Sequence, residues 1–130
     1  MDWWIAQFGD GFKAQIDPEN EVIRGALKAG VYDVVLTAYN FRKDYLKELR
    51  AAVAEAAEAG LGVVAMKTQA GVFWDRARSR MINMKAALKW ALQNDYVHTS
   101  IPGMTTFDHL NTDMSVMEDL ALSTEEKSDL

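Results

Sequence analysis

Two short apolar runs constrain the fold of this chain most, because each is nearly unbroken rather than alternating. The runs cover residues 31–39 and 62–67, and both contain several β-branched side chains. Such runs are typical of parallel strands covered on both faces, since a strand with one wet face alternates apolar and polar residues. A weaker run, residues 97–101, stops at Pro102 and Gly103. The sequence therefore predicts three parallel strands.

Helical patterns occupy the intervals between these strands. Apolar residues recur at helical spacing, and residues suited to helix starts and stops bound each pattern. Ser123 and Glu126 form a capping box, and the few residues that follow suggest a truncated chain. The alternation of helix and strand predicts an α/β fold. The predicted helices start near Asp17 and Pro18, Tyr45, Asn83, Thr105 or Thr106, and Ser123.

Two further stretches have less regular patterns. Residues 11–16 could add a fourth strand, and the aromatic residues Trp3, Trp4 and Phe8 before them could cover an open sheet edge or form a self-association surface. Residues 71–82 are interpreted as a loop with at most one helical turn. This loop carries alternating arginines that either grip an anion or are simply solvated: Arg76, Arg78 and Arg80.

Composition argues against several classes of protein. The 130 residues carry a net charge of −5, which disfavours binding to nucleic acid or an anionic membrane. There is no cysteine, so disulfides, thiolate zinc sites and cysteine nucleophiles are excluded within this chain. Neither a signal peptide nor an apolar run of about 20 residues occurs. We expect a cytoplasmic protein with no metal site, because the two histidines and the carboxylates lack ligand spacing.

A short motif ends each predicted strand: Tyr39-Asn40-Phe41, Ala65-Met66-Lys67 and Ile101-Pro102-Gly103. Together with the helical residues 86–92, these motifs resemble strands six to eight of the aldo/keto reductase family, in a divergent bacterial branch. The resemblance covers about residues 19–126. It implies an α/β fold that is half of a TIM-type β/α barrel, with three to four parallel strands and flanking helices. Residues 17–130 would form this half-barrel, and residues 1–16 a divergent N-terminal segment.

The resemblance also implies a cofactor, NADP or NAD. Residues at the carboxyl ends of the strands would contact it, because ligands of β/α barrels bind at that end. The family's catalytic Asp, Tyr, Lys and His come from the first half of the barrel, so no catalytic residue can be assigned here. The implied cofactor-binding residues are Tyr39, Asn40, Met66, Lys67, Ile101, Pro102, Gly103, Met104, Thr105 and His109.

Each of these assignments has a simpler alternative. Residues 101–105 could form a strand-to-helix turn that binds nothing, and Lys67 could be a lysine whose stem lies along an apolar surface. His109 could be an ordinary surface histidine. Positions that hold the 2′-phosphate and adenine in many family members match Gly103, Met104, His109 and Asp113. The loss of the family's basic residues there leaves NAD, or no cofactor at all, open beside NADP.

Three hypotheses about function follow. The first is a reductase fragment that binds nucleotide but does not reduce carbonyls unaided. The second is a non-catalytic half-barrel that acts by association. Because a half-barrel leaves unpaired strands at its edges, the chain is expected to form a homodimer through an exposed sheet edge. The third is a subunit that docks onto a partner supplying the missing half.

Overall fold

The computed structural model describes residues 18–130, which form helices packed on a parallel sheet. The possible strand at residues 11–16 and the aromatic residues Trp3, Trp4 and Phe8 lie outside the described residues. In chain order the elements are α1 (Glu19–Ala29), β1 (Val34–Ala38), α2 (Leu46–Glu58), β2 (Gly62–Met66), α3 (Met84–Leu92), β3 (Thr99–Ser100), α4 (Phe107–Ser115), a 3₁₀ helix (Val116–Glu118) and α5 (Thr124–Ser128).

The sheet has the order β1-β2-β3, and both neighbouring pairs are parallel. The pairing of β1 with β2 runs from Val34 opposite Gly62 to Ala38 opposite Met66. Helices α2 and α3 make the two crossover connections, as parallel pairing requires. The predicted α/β architecture, with three parallel strands and flanking helices, is confirmed for these residues.

The strands are shorter than the apolar runs that predicted them. The run 31–39 contains the five-residue strand Val34–Ala38, and the run 97–101 contains only Thr99–Ser100. A strand lasts only where a neighbour offers hydrogen-bonding partners, and hydropathy alone does not report this. One ladder bond continues past β1, because the Tyr39 amide donates to the Met66 carbonyl at 3.0 Å.

One face of the sheet is open among residues 18–130, contrary to the expectation that both faces are covered. Val34 and Leu36 are 55% and 51% exposed, whereas their neighbour Val35 is buried. On β2, Val63 and Ala65 are fully buried on the same side as Val35. An unbroken apolar run carries no alternation, so it could not distinguish one covered face from two.

The core lies between the covered face of the sheet and helices α2 and α3. On α2 the residues Leu49, Ala52, Val53 and Ala56 are fully inaccessible to water there. On α3 the buried apolar residues are Ala86, Ala87, Leu88 and Ala91. This packing fixes the direction of the strands, and therefore the place where their carboxyl ends meet.

Local hydrogen bonds begin three of the helices as predicted. The side chain of Asn83 accepts from the Ala86 amide at 3.0 Å, so it caps α3. Of the two candidates before α4, Thr106 is the cap, and it accepts from the amide of His109. Ser123 forms the expected capping box at the start of α5. These starts needed only neighbouring residues, which explains why the sequence located them.

The end of the chain is tied to α3 by a buried lysine. The Lys89 ammonium donates to the Ala121 carbonyl at 2.9 Å and to the Glu126 carboxylate at 3.1 Å. Asn83 adds a hydrogen bond to Asp129 at 2.8 Å. A buried ammonium needs such partners, so α5 is held in one position.

Within residues 18–130, every helix is too short or too polar to cross a bilayer.

Candidate functional site

The carboxyl ends of the three strands open into a groove of about 830 Å³. We call it the carboxyl-end groove. Its walls come from the segments after each strand and from one face of α4. The lining residues are Asn40, Lys67, Gln69, Ala70, Gly71, Val72, Met81, Met84, Gly103, His109, Thr112 and Asp113. Six of them carry polar or charged side chains, so this groove can orient a polar ligand.

A second groove, of about 870 Å³, lies between α1 and the exposed edge of β1. Apolar side chains such as Val22, Val34 and Leu36 line most of it. It begins at Pro18, where the described residues begin. Lys67 borders both grooves. The carboxyl-end groove is the stronger candidate for a functional site, because convergent polar groups rather than volume give a site specificity.

Asn40 links the ends of β1 and β2 at the floor of the carboxyl-end groove. Its side-chain amide donates to the Lys67 carbonyl at 3.1 Å, and its side-chain oxygen accepts from the Arg42 amide at 3.1 Å. The Ala70 amide also donates to the Lys67 carbonyl, at 3.0 Å. Asn40 is buried and Lys67 is exposed. Asn40 therefore holds the backbone from which the Lys67 ammonium reaches solvent.

The turn after β2 has an unusual backbone. Lys67 and Ala70 have φ angles of 53° and 59°, and Gly71 follows at 106°. Side chains with a Cβ rarely adopt this left-handed region, which costs of order 1–3 kcal/mol per residue. Strain of this kind persists where the surrounding structure holds it, and it is common at binding sites. The strained turn lines the groove, which adds to the case that the groove has a function.

The third wall of the groove is one face of α4, formed by His109, Thr112 and Asp113. His109 approaches Thr105, with its Nδ1 3.3 Å from the threonine hydroxyl. Asp113 is 8% exposed, and its carboxylate accepts no hydrogen bond from residues 18–130. Burial raises the pKa of Asp113, and the nearby His109 opposes this in part. The groove therefore contains a buried acid facing the same space as the exposed Lys67 ammonium.

Four of the ten sequence-predicted site residues meet in the groove: Asn40, Lys67, Gly103 and His109. They come from the ends of all three strands and from α4. Gly103 leaves its backbone accessible, since a Cβ added there would meet no atom within 4 Å. These four are the residues on which a ligand hypothesis can rest.

Tyr39 lies elsewhere, although it directly precedes Asn40. Its ring is fully buried and stacks on Trp90 with the ring centroids 5.2 Å apart. Its hydroxyl accepts from Asn94 at 2.7 Å and from Arg50 at 3.2 Å. Tyr39 therefore joins the sheet to helices α2 and α3 and does not line the groove.

The other five predicted residues also lie outside the lining of the carboxyl-end groove. Met66 borders the groove beside α1. Ile101 is half-exposed, at 53%. The remaining three, Pro102, Met104 and Thr105, belong to the segment between β3 and α4, which contributes only Gly103 to the lining. The side of α4, rather than its first residues, faces the groove.

Residues 71–82 supply lining that the sequence did not indicate, including Val72 and Met81. This loop contains an antiparallel bridge between Phe73 and Met81, and a turn in which the Arg78 amide donates to the Asp75 carbonyl at 3.2 Å. Arg42 holds the loop by donating to the Phe73 and Trp74 carbonyls at 3.3 and 3.1 Å. The only signal for this contact is a basic residue after β1, which is too common to be informative.

The three alternating arginines of this loop do not line the groove. Arg78 lies over the ring of Phe73 at 5.8 Å, and Arg80 lies over Trp74 at 5.2 Å. Arg76 is exposed. Of the two interpretations of this series, the placement of Arg78 and Arg80 favours packing and solvation over an anion site in the groove.

The groove fits a dinucleotide only in part. The Lys67 ammonium can pair with a phosphate, and the open backbone at Gly103 allows close approach. Asp113 is unsuited to a second phosphate nearby, because two negative charges would repel each other. Residues 18–130 contain no group of three or more His, Cys, Asp or Glu side chains that could hold a metal ion.

No family model, curated protein or solved structure matches the chain. A parallel α/β sheet supports many unrelated chemistries, so the fold alone assigns none. The function must therefore be argued from the carboxyl-end groove itself.

Proposed function

We propose that this chain is the cofactor-binding half of an aldo/keto reductase-like β/α barrel, and that the carboxyl-end groove binds NADP or NAD. The observation that carries the proposal is the meeting of Asn40, Lys67, Gly103 and His109 in one groove. The motif resemblance selected these residues from strand ends far apart in the chain. Ligands of parallel β/α folds bind at this end of the sheet, which supports the same choice.

Lys67 would hold the phosphates. Its ammonium is exposed at the groove, and its backbone is held by Asn40 and Ala70. A positioned ammonium forms charge-assisted hydrogen bonds with phosphate oxygens, which are stronger than neutral ones. Gly103 would let the ligand approach the backbone beside β3. The apolar side chains of Val72, Met81 and Met84 would exclude water from the uncharged part of the ligand.

Binding alone would not make the chain a reductase. A bound nicotinamide supplies a hydride, but carbonyl reduction also needs a proton donor positioned at the substrate oxygen. The tetrad that provides it in the resembled family has no counterpart in this sequence. We expect the purified chain to bind nucleotide without oxidising NADPH in the presence of aldehydes. Steady NADPH oxidation would contradict this part of the proposal.

A titration with NADPH and with NADH tests the proposal. Binding is followed through the nucleotide's own emission and through quenching of tryptophan emission, and it should saturate. Lys67→Gln should weaken binding of the tighter ligand by roughly tenfold, because one charge-assisted hydrogen bond contributes about 1.5 kcal/mol or more. The matched control is Lys47→Gln, an exposed lysine on α2 that does not line the groove. An unsaturable titration, or equal losses in both variants, would reject the proposal.

A second candidate function is self-association through the open face and edges of the sheet. Val34, Leu36 and Ile101 are each more than half exposed on or beside it. Among residues 18–130, β1 and β3 each leave one edge unpaired, and such edges favour pairing with another chain. A second copy of this chain would cover both the edge and the apolar face.

Light scattering coupled to size-exclusion chromatography tests association. A dimer is expected, and Leu36→Lys should shift it towards monomer. Val31→Lys is the control, since Val31 is 75% exposed and precedes β1. A monomer at high concentration whose β1 amides exchange slowly with solvent would reject the dimer, because the edge would then be covered within one chain.

A further inference from the structure

Asp113 is the buried acidic side chain that faces the carboxyl-end groove. It is more than nine-tenths buried, and no residue from 18 to 130 donates a hydrogen bond to its carboxylate. It nevertheless lines a groove large enough for a drug-sized molecule. Its carboxylate oxygens are not fully buried, so a ligand in the groove can reach them and supply hydrogen-bond donors.

Hydroxyl groups are suitable neutral donors for this carboxylate. A carboxylate accepts two or more hydrogen bonds, and two vicinal hydroxyls of a sugar match its pair of oxygens. An acidic side chain serves this purpose in dinucleotide-binding folds generally, where it accepts from the ribose 2′-hydroxyl. A phosphate in the same position would place like charges together in a partly dry site, which is unfavourable.

Lys67 supplies the positive charge that complements Asp113 in the groove. The groove combines one exposed ammonium with one buried carboxylate on a different wall. A ligand that satisfies both has an anionic group at one point and hydroxyl donors at another. A nucleotide with a phosphate and an unmodified ribose has this chemistry, whereas a nucleotide with a 2′-phosphate would bring an anion to the carboxylate as well.

We infer that Asp113 makes the carboxyl-end groove selective for a nucleotide with a free ribose 2′-hydroxyl, so that NAD binds in preference to NADP. The inference rests on the proposed function and adds the ligand class that the groove selects. Asp113 is here a specificity residue that accepts hydrogen bonds from the ribose.

The test measures the ratio of NADH to NADPH affinity in the intact chain at fixed ionic strength, using nucleotide emission. NADH is expected to bind about tenfold more tightly, which corresponds to one lost hydrogen bond and one charge repulsion. Asp113→Asn should reduce the ratio to within about threefold, because the amide is neutral and can donate to a phosphate. Asp108→Asn is the control on the exposed part of the same helix, and it should leave the ratio unchanged.

A second ligand pair separates the ribose from the nicotinamide. AMP and adenosine 2′,5′-bisphosphate differ only in the 2′-phosphate, so the same preference for the free hydroxyl is expected. Equal affinities for NADH and NADPH, or a ratio that Asp113→Asn does not change, would overturn the inference and leave nucleotide binding intact. Failure of every nucleotide to bind would instead remove the proposed function, and this inference with it.

Discussion

The side-chain amide of Asn40 donates a hydrogen bond to the backbone carbonyl of Lys67 at 3.1 Å. The bond joins the segments that directly follow two neighbouring strands, where the groove begins. It also stabilises a lysine whose φ angle of 53° is unfavourable for a residue with a Cβ. Asn40 thus contributes to the site through the conformation of Lys67.

Replacing the amide of Asn40 with a carboxylate should therefore destabilise the fold. In Asn40→Asp an oxygen faces the Lys67 carbonyl, so two acceptors oppose each other and a buried acceptor loses a donor. We expect a loss of about 1–3 kcal/mol in the free energy of unfolding, measured by urea denaturation. Asn111→Asp makes the same change at an exposed position of α4 and should cost much less. Equal losses would contradict a specific role for the Asn40 bond.

His98 directly precedes β3 and extends its short pairing with β2 by two hydrogen bonds to Val63. Its Nδ1 accepts from the Val63 amide at 2.9 Å, and its own amide donates to the Val63 carbonyl at 3.0 Å. His98→Ala should cost about 1–2 kcal/mol of unfolding free energy, because the Val63 amide loses its acceptor. His98→Asn should recover part of that loss, since its side-chain oxygen can take the place of Nδ1. Parent-like stability of His98→Ala would show that the side-chain bond contributes nothing.

Replacing Gly25, inside α1, and Gly30, at its end, with alanine should change the stability of the fold in opposite directions. Gly25 lies inside the helix, and a Cβ there would meet no atom within 4 Å. Gly25→Ala should stabilise the fold by about 0.5–1 kcal/mol, because alanine loses less backbone entropy on folding. Gly30 ends the helix with a φ of 66°, so Gly30→Ala should destabilise it by about 1 kcal/mol. Thermal unfolding of both variants measures the contrast, and shifts of the same sign would contradict it.

Asp113 should make the protein less stable as pH rises. Burial raises the pKa of this carboxyl in the folded state, so the folded protein holds its proton at a pH where the unfolded chain has released it. Asp113→Asn should therefore be more stable than the parent at neutral pH. The difference should shrink as pH falls below the ordinary carboxyl range, because Asp113 is then protonated in both states. Denaturation curves across acidic and neutral pH test this, and a constant difference would contradict it.

Glu126 should show the opposite dependence. The Ser123 amide, and after it the Lys89 ammonium, lower the pKa of this carboxylate in the folded state. Its stabilising contribution is present above the ordinary carboxyl pKa and is lost as pH falls through the lowered value. Glu126→Gln should be less stable than the parent at neutral pH and equal to it in acid. A larger difference in acid would reverse the sign and refute the assignment.

Much of the architecture was predictable because it depends on short-range chemistry. Asn83, Thr106 and Ser123 begin helices by bonding to amides three residues away, which a sequence displays directly. The apolar runs marked the positions of β1 and β2, although not their ends. Residues 71–82 were less predictable, since Arg42, which holds this loop, lies about 30 residues earlier in the chain.

The candidate site was predictable only in outline. Strand-end motifs marked the region, but the pattern did not show that Asn40 enters the groove while Tyr39, one residue earlier, enters the core. Adjacent residues at a strand end point to opposite sides, and which side is covered depends on helices packed from elsewhere. The pairing of Lys67 and Asp113 across one space likewise required α4 to fold against the sheet.

Local bonding and hydropathy were thus enough to establish an α/β chain with parallel strands and helix starts at Asn83, at Thr105 or Thr106, and at Ser123. Long-range packing decided the rest: an open sheet face at Val34 and Leu36, and a groove that brings an ammonium and a buried carboxylate together. The physical reason is that capping and turn energies involve neighbours in the chain. Burial and the distances between charges, in contrast, depend on the tertiary structure and are set only when distant segments pack together.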